Sequence, residues 1–236
     1  MSLYIKQLLA GRDFAIHDTF ATQMANFVYL IGDEEQRVCM VVDPAWDIPG
    51  IIEFIENQNM RLSGALVTHY HPDHIGGDIF GHNISGLAEL ISRSPIKVHV
   101  NERESEGVKQ ISGLSDNDLV KHHAGDELLI GNLIVRLLHT PGHTPGSQCF
   151  LAGSALVSGD TLFIGGCGRV DLPGGNADQL YDSLTQVLAK LPEDTLLYPG
   201  HNYSEREVST IGDEKKENYY MTIGSLEDWR RLMHVG

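Results

Sequence analysis

Short apolar runs recur along the chain at Phe27–Ile31, Val38–Val42, Ala65–Thr68, Ile96–Val100, Leu133–Leu138, Ala155–Val157 and Thr195–Tyr198. They are rich in Val, Ile and Leu, and Gly, Pro, Asn or Asp punctuates them, so each predicts a β-strand. Two stretches carry a helical period instead. Pro49–Asn57 opens with proline at a helix start and puts Ile51, Ile52 and Ile55 on one face. Ala177–Lys190 repeats Leu180, Leu184, Val187 and Leu188 and predicts one amphipathic helix. Strands come in groups with few helices between them, which favours layered sheets flanked by helices over strict strand–helix alternation. Gly81–Lys121 is the least patterned stretch, with Glu102–Glu106 strongly charged. Solvated surface is the expectation there, ahead of an inserted flap. No linker, repeat or low-complexity stretch interrupts the pattern, so one domain over residues 1–236 is expected.

Composition narrows the class. Hydrophobic residues make up 42% of the 236, enough for a sizeable core and too many for a disordered chain. A net charge of −15 repels phosphate backbones and argues against a nucleic-acid partner. No apolar run approaches the length of a membrane span, so no membrane partner is expected. Met1–Arg12 lacks the basic head and apolar stretch of a signal peptide. Cys39, Cys149 and Cys167 are too few for a disulfide framework, and a cytoplasmic location is the simple expectation.

Twelve histidines then change the picture, because histidine is the commonest metal ligand. Thr68-His69-Tyr70-His71-Pro72-Asp73-His74 follows an apolar strand and precedes Ile75-Gly76-Gly77. Residues i and i+2 of an extended chain point to one side, so His69 and His71 can grip one ion. Pro72 turns the chain and lets Asp73 and His74 face a neighbouring position. Three further elements each follow an apolar strand: Thr140-Pro141-Gly142-His143, Ser158-Gly159-Asp160-Thr161 and Pro199-Gly200-His201. Each places a His or Asp beside Gly, where the backbone can bend closely. Imidazole and carboxylate suit zinc, iron or manganese.

In this order the motifs resemble those of the metallo-β-lactamase superfamily, and the resemblance covers roughly Asn26 to Asn218. It implies an α/β fold, a four-layer αββα sandwich with metals at one edge of the two sheets. It also implies a ligand division: His69, His71 and His143 for a first ion, Asp73, His74 and His201 for a second, and Asp160 shared. The implied cofactors are two divalent metal ions, zinc first, with iron or manganese as alternatives.

Two branches of the family compete. Asp160–Arg169 looks like the glyoxalase II branch, which acts on glutathione thioesters; there the basic residue in the place of Arg169 and the Tyr in the place of Tyr203 contact glutathione. Two departures stand against it: Asp171 replaces a usual aromatic, and only 35 residues follow His201, where that branch has a long helical tail. Gly166-Cys167-Gly168-Arg169-Val170-Asp171 and the tail Val208–Lys215 resemble the persulfide dioxygenases, which use one iron at positions matching His69, His143 and Asp160. The Tyr70–Gly77, Gly142–Ser147 and Tyr198–His201 segments look more like the hydrolases. The leading expectation is a hydrolase of a small glutathione-type thioester. Water between two divalent ions ionises near pH 7 and supplies hydroxide, with Asp73 as the orienting or proton-accepting catalytic group. No Gly-x-Ser-x-Gly elbow offers a serine nucleophile. Arg169 and Tyr203 are the candidate substrate contacts, and Asp43 is expected to support the metal ligands by hydrogen bonding. A non-catalytic metal-binding protein is a third, weaker reading, and the oligomeric state stays open. His17, His82, His99, His122, His123, His139 and His234 lie in no motif and are expected at the surface or in satisfied core positions.

Overall fold

The computed structural model describes residues 2–233. Two six-stranded sheets lie face to face. The first runs in the order Leu3–Leu9, Phe27–Asp33, Val38–Val42, Arg61–Leu66, Lys97–Asn101 and Leu119–His122. The second runs Ser209–Thr210, Leu196–Pro199, Ala155–Gly159, Gln148–Ala152, Leu133–His139 and Glu127–Ile130. Alternation along each strand sends side chains to both faces. Phe27, Tyr29 and Ile31 point inward with Val135, Leu137, Phe150 and Val157 of the opposite sheet. Val28 and Leu30 point outward, where Ile51 and Ile55 of helix Ile48–Asn57 and Leu87 and Leu90 of helix Leu87–Arg93 cover them. Leu151, Leu156 and Leu197 on the outer face of the second sheet pack on Leu180, Leu184, Leu188 and Trp229. The chain thus forms the four-layer αββα sandwich. Strands buried on both faces read as continuous apolar runs, which is why they are visible in the sequence.

Three expectations are corrected. Ala177–Lys190 is not one regular helix: it runs as an α-helix over Ala177–Asp182, a π turn over Ser183–Val187 and a 3-10 turn over Leu188–Lys190. The Ser183 hydroxyl donates to the Pro141 carbonyl at 2.7 Å and that of Thr185 to Tyr181 at 2.8 Å, hydroxyl bonds of the kind that bend a helix while the leucines stay on the sheet. The strand expected over Ala65–Thr68 is Arg61–Leu66, because Thr68 leaves the ladder to bond Asp43. Gly81–Lys121 is not solvated surface. It holds helix Leu87–Arg93, strand Lys97–Asn101 and helix Ser105–Ser112, and it buries Val98, Val100 and Val108.

The parallel run of the first sheet and the Leu133–His139, Ala155–Gly159 and Leu196–Pro199 strands of the second all end at one edge of the sandwich. There the sheets are stitched together. Gln148 donates from its backbone to the Thr68 carbonyl at 3.0 Å and from its side chain to that of Val67 at 2.8 Å. The Phe27 N–H reaches the Gly200 carbonyl at 2.8 Å.

Candidate metal centre

Every motif residue sits just past a strand end on this stitched edge. His69 and His71 follow Arg61–Leu66, and Asp73 and His74 lie on the short turn Pro72–Ile75. His143 follows Leu133–His139, Asp160 follows Ala155–Gly159, and His201 follows Leu196–Pro199. Glycine is required beside them: a Cβ on Gly200 would lie 2.3 Å from Asp160 Oδ1.

The seven side chains converge in two groups. His69, His71 and His143 bring ligand atoms within 4.8 Å of one another, and so do Asp73, His74 and His201. His71 Nδ1 is 3.0 Å from His143 Nε2, and His74 Nε2 is 3.2 Å from His201 Nε2. Asp160 lies between the groups, 3.3 Å from both His74 and His201 and 3.7 Å from His143.

The outer nitrogens fix which ring atoms face inward. His143 Nδ1 donates to the Arg169 carbonyl and His201 Nδ1 to the Met24 carbonyl, both at 2.8 Å. A carbonyl only accepts, so both Nε2 atoms are bare when the rings are neutral. Asp43 does the same for the other loop. Its carboxylate takes the Thr68 N–H at 2.7 Å, the Thr68 hydroxyl at 2.6 Å and His74 Nδ1 at 3.0 Å. The Thr68 oxygen in turn accepts from His69 Nδ1 at 3.0 Å. Asp43 also falls within ligand distance of His69 and His74, but both its oxygens already accept hydrogen bonds from Thr68 and His74, an arrangement suited to orienting the histidines. Asp43 and Trp46 are both in the left-handed region, at φ 51° and 78°. Trp46 Nε1 donates to Asn26 at 3.2 Å, and Asn26 Nδ2 to Asp73 at 3.0 Å.

Charge at the centre is strongly coupled. Burial pushes the Asp73 and Asp160 carboxyls up, but the facing His74 and His201 outweigh it and hold both well below the usual carboxylate range. Burial likewise disfavours charge on His201, yet Asp160 and Asp73 push it up to about 9. Burial, reinforced by His143, pushes His71 down to about 4.

This donor set fits divalent metal. Among the described residues, the buried His69 Nε2 has no hydrogen-bond partner, although its other nitrogen is satisfied. A divalent cation would give the facing ring nitrogens, 3.0 Å apart in His71 and His143 and 3.2 Å apart in His74 and His201, a common partner. Ligand atoms about 2.0–2.1 Å from a zinc ion are themselves roughly 3.3 Å apart in a tetrahedral set.

A cavity of about 400 Å³ opens beside His143 and Asp160, lined among others by Phe163, Cys167, Arg169, Tyr203 and Tyr220. Tyr203 stacks on the His201 ring, centroids 4.7 Å apart. Arg169 points its guanidinium at Asp171 through two bonds of 2.7 Å. Burial pushes the Cys167 thiol up to about 12, so it stays neutral.

Of the histidines outside the motifs, His99 bonds His122 at 2.8 Å, His82 bonds Asp18 at 3.0 Å and His139 bonds the Pro145 carbonyl at 3.1 Å. His17 is exposed, His123 is exposed and faces Glu102, and His234 lies outside the described residues. Sequence reasoning missed Asn26, Thr68 and Glu104. Glu104 lies in the run expected at the surface, yet it is fully buried against both ligand loops.

Comparison with known proteins agrees with this geometry. Residues 21–201 match the model of the metallo-beta-lactamase superfamily. The hydroxyacylglutathione hydrolase of Tolumonas auensis is 36% identical over 92% of this chain and 77% of its own. The human mitochondrial persulfide dioxygenase ETHE1 is 31% identical over 95% of this chain and 82% of its own. The crystal structure of ETHE1 from Myxococcus xanthus superposes with a TM-score of 0.80 at 32% identity, covering 98% of this chain and 90% of that one.

Proposed function

We propose the following activity for this chain, which belongs to the metallo-beta-lactamase superfamily: metal-dependent hydrolysis of a small thioester of the glutathione type. The observation that carries this reading is the second donor group. Asp73, His74 and His201 are brought together as closely as His69, His71 and His143, and Asp160 stands between them. A centre built for one ion needs only one of these groups. In the proposal, His69, His71 and His143 hold one divalent ion, Asp73, His74 and His201 a second, and Asp160 both. Ions held there would polarise the thioester carbonyl and acidify water at the site.

The chain's own groups do the rest. Asn26 fixes one Asp73 oxygen, and the low proton affinity of that carboxyl suits it to orient water rather than to store a proton. A thiolate leaves without a strong acid. Phe163, Tyr203 and Tyr220 offer ring faces to the thiol half of the substrate. Arg169 grips its carboxylate by exchanging Asp171 for the ligand. Partial desolvation at the cavity, together with the nearby Asp160 and Asp73 carboxylates, pushes the Tyr203 phenol up to about 12, so it remains a hydrogen-bond donor.

The likeness to ETHE1 from Myxococcus xanthus over nearly the whole chain favours a second reading, oxidation of a glutathione persulfide at one iron. One experiment separates the two. The purified holoenzyme is analysed for metal and assayed in parallel, anaerobically for thiol release from a hydroxyacylglutathione and aerobically for oxygen uptake with glutathione persulfide. Thiol release without oxygen supports the hydrolase. Oxygen uptake at one iron per chain, with no thioester turnover, replaces it with the dioxygenase.

A further inference from the structure

Glu104 ends the short 3-10 turn Glu102–Glu104, just past the strand Lys97–Asn101, with none of its surface exposed. One carboxylate oxygen accepts the Tyr70 N–H at 2.9 Å. The other accepts the Thr144 hydroxyl at 2.8 Å and the Gly146 N–H at 2.5 Å. Tyr70 lies between His69 and His71, and Thr144 follows His143. The two loops come from different sheets, so no β-ladder sets the distance between them. Yet His71 and His143 approach to 3.0 Å. Gln148 ties the sheets at Val67 and Thr68, before the ligands begin; Glu104 ties the ligand segments themselves.

Burying this carboxylate is costly, and no lysine or arginine pairs with it among the described residues. The surroundings are shaped to admit it. A Cβ on Gly146 would lie 2.8 Å from Glu104 Oε1, and the Thr144 hydroxyl also lies 2.7 Å from Ser147 Oγ, which closes the His143 loop. All three donors point at the carboxylate and none is replaceable by packing.

We propose that Glu104 is a positioning residue for the metal centre: by clasping the Tyr70 and Thr144–Gly146 segments it sets the spacing of His71 and His143 and so the affinity for a divalent cation. This rests on the metal centre described above, not on which substrate that centre takes.

Glu104→Gln tests it, because the amide keeps the shape but offers one accepting oxygen and turns an NH₂ group toward a backbone N–H. Metal-stripped wild type and variant are titrated with zinc against a chromophoric chelator, and the melting of both metal-free proteins is recorded. The expected result is zinc binding about 10–100-fold weaker, with the metal-free melting temperature lowered only slightly. Unchanged zinc affinity overturns the proposal, whatever the melting temperature does, since a purely structural role moves melting alone. If the glutamine variant does not fold, Thr144→Val removes one of the three donors and still has to weaken zinc binding; equal affinity overturns the proposal there too. A protein that binds zinc tightly and hydrolyses no thioester refutes the proposed activity and leaves this inference standing.

Discussion

His143 and Arg169 are joined through the backbone: His143 Nδ1 donates to the Arg169 carbonyl at 2.8 Å, while the Arg169 side chain turns away to Asp171. The loop therefore has two separable duties. Its main chain orients a candidate metal ligand, and its guanidinium faces the cavity mouth. Removing the side chain leaves the ligand's hydrogen bond in place.

Arg169→Ala is accordingly expected to raise KM for an anionic thioester about tenfold while kcat and metal content hold, the pattern of lost uniform binding. Asp171→Ala is expected to act oppositely and lower KM about two- to fivefold, because an exposed partner no longer competes for the guanidinium. Steady-state kinetics on both variants checks the pair. A fall in kcat with loss of metal in Arg169→Ala would assign the side chain to the loop's structure instead.

Asp160 faces His74, His201 and His143 at once, so it is the residue whose loss disturbs both donor groups. Asp160→Asn should retain less than about a tenth of the wild-type metal after chelator treatment and lose activity with it. Elemental analysis of the two proteins, prepared identically, decides this. Full metal content in the variant would exclude the shared role.

Asp43 makes no contact with the cavity, yet it orders two rings. Replacing it with asparagine weakens the acceptor for His74 Nδ1 and frees the Thr68 hydroxyl that fixes His69. Zinc affinity is expected to fall about 10–100-fold with little change in KM at saturating metal. Competition titration and kinetics together read this, and a KM effect alone would refute it.

The sequence showed the sandwich strands because burial on both faces leaves continuous runs such as Phe27–Ile31 and Val38–Val42. The edge strand Leu3–Leu9 escaped notice because Lys6 and Gln7 interrupt its apolar pattern. The motif histidines and aspartates stood out through clustering beside Gly and Pro. Their supports did not, because orientation is a property of contacts. Asn26 has no polar neighbour in sequence, and Glu104 sits among Glu102, Arg103 and Glu106, all three exposed. Only the approach of Tyr70 and Thr144 from two sheets separates Glu104 from its solvated neighbours. The π turn at Ser183–Val187 was hidden for a similar reason: its leucines keep a helical period while Ser183 bonds Pro141 across the fold.

The buried charge of Glu104 also predicts a pH dependence of stability. Burial pushes its carboxyl up to about 7, against the pull of Thr144, Gly146 and Tyr70, whereas the unfolded chain ionises near 4.5. Between those values the unfolded state has released the proton and the folded state has kept it. The folded state then binds more protons, so this group's contribution to stability falls as pH rises through the window and is constant above it. Below about 4.5 both states are protonated and the group contributes no slope. The loss by pH 7.5 amounts to up to about 3 kcal/mol. Glu104→Gln cannot titrate but shares every other ionisable group, so the difference between the two proteins isolates the effect. Denaturant unfolding of both metal-free proteins at pH 4.5, 5.5, 6.5 and 7.5 is expected to show wild type losing stability relative to the variant across that range. A flat difference would mean that the three hydrogen bonds keep Glu104 ionised throughout, with burial the weaker influence.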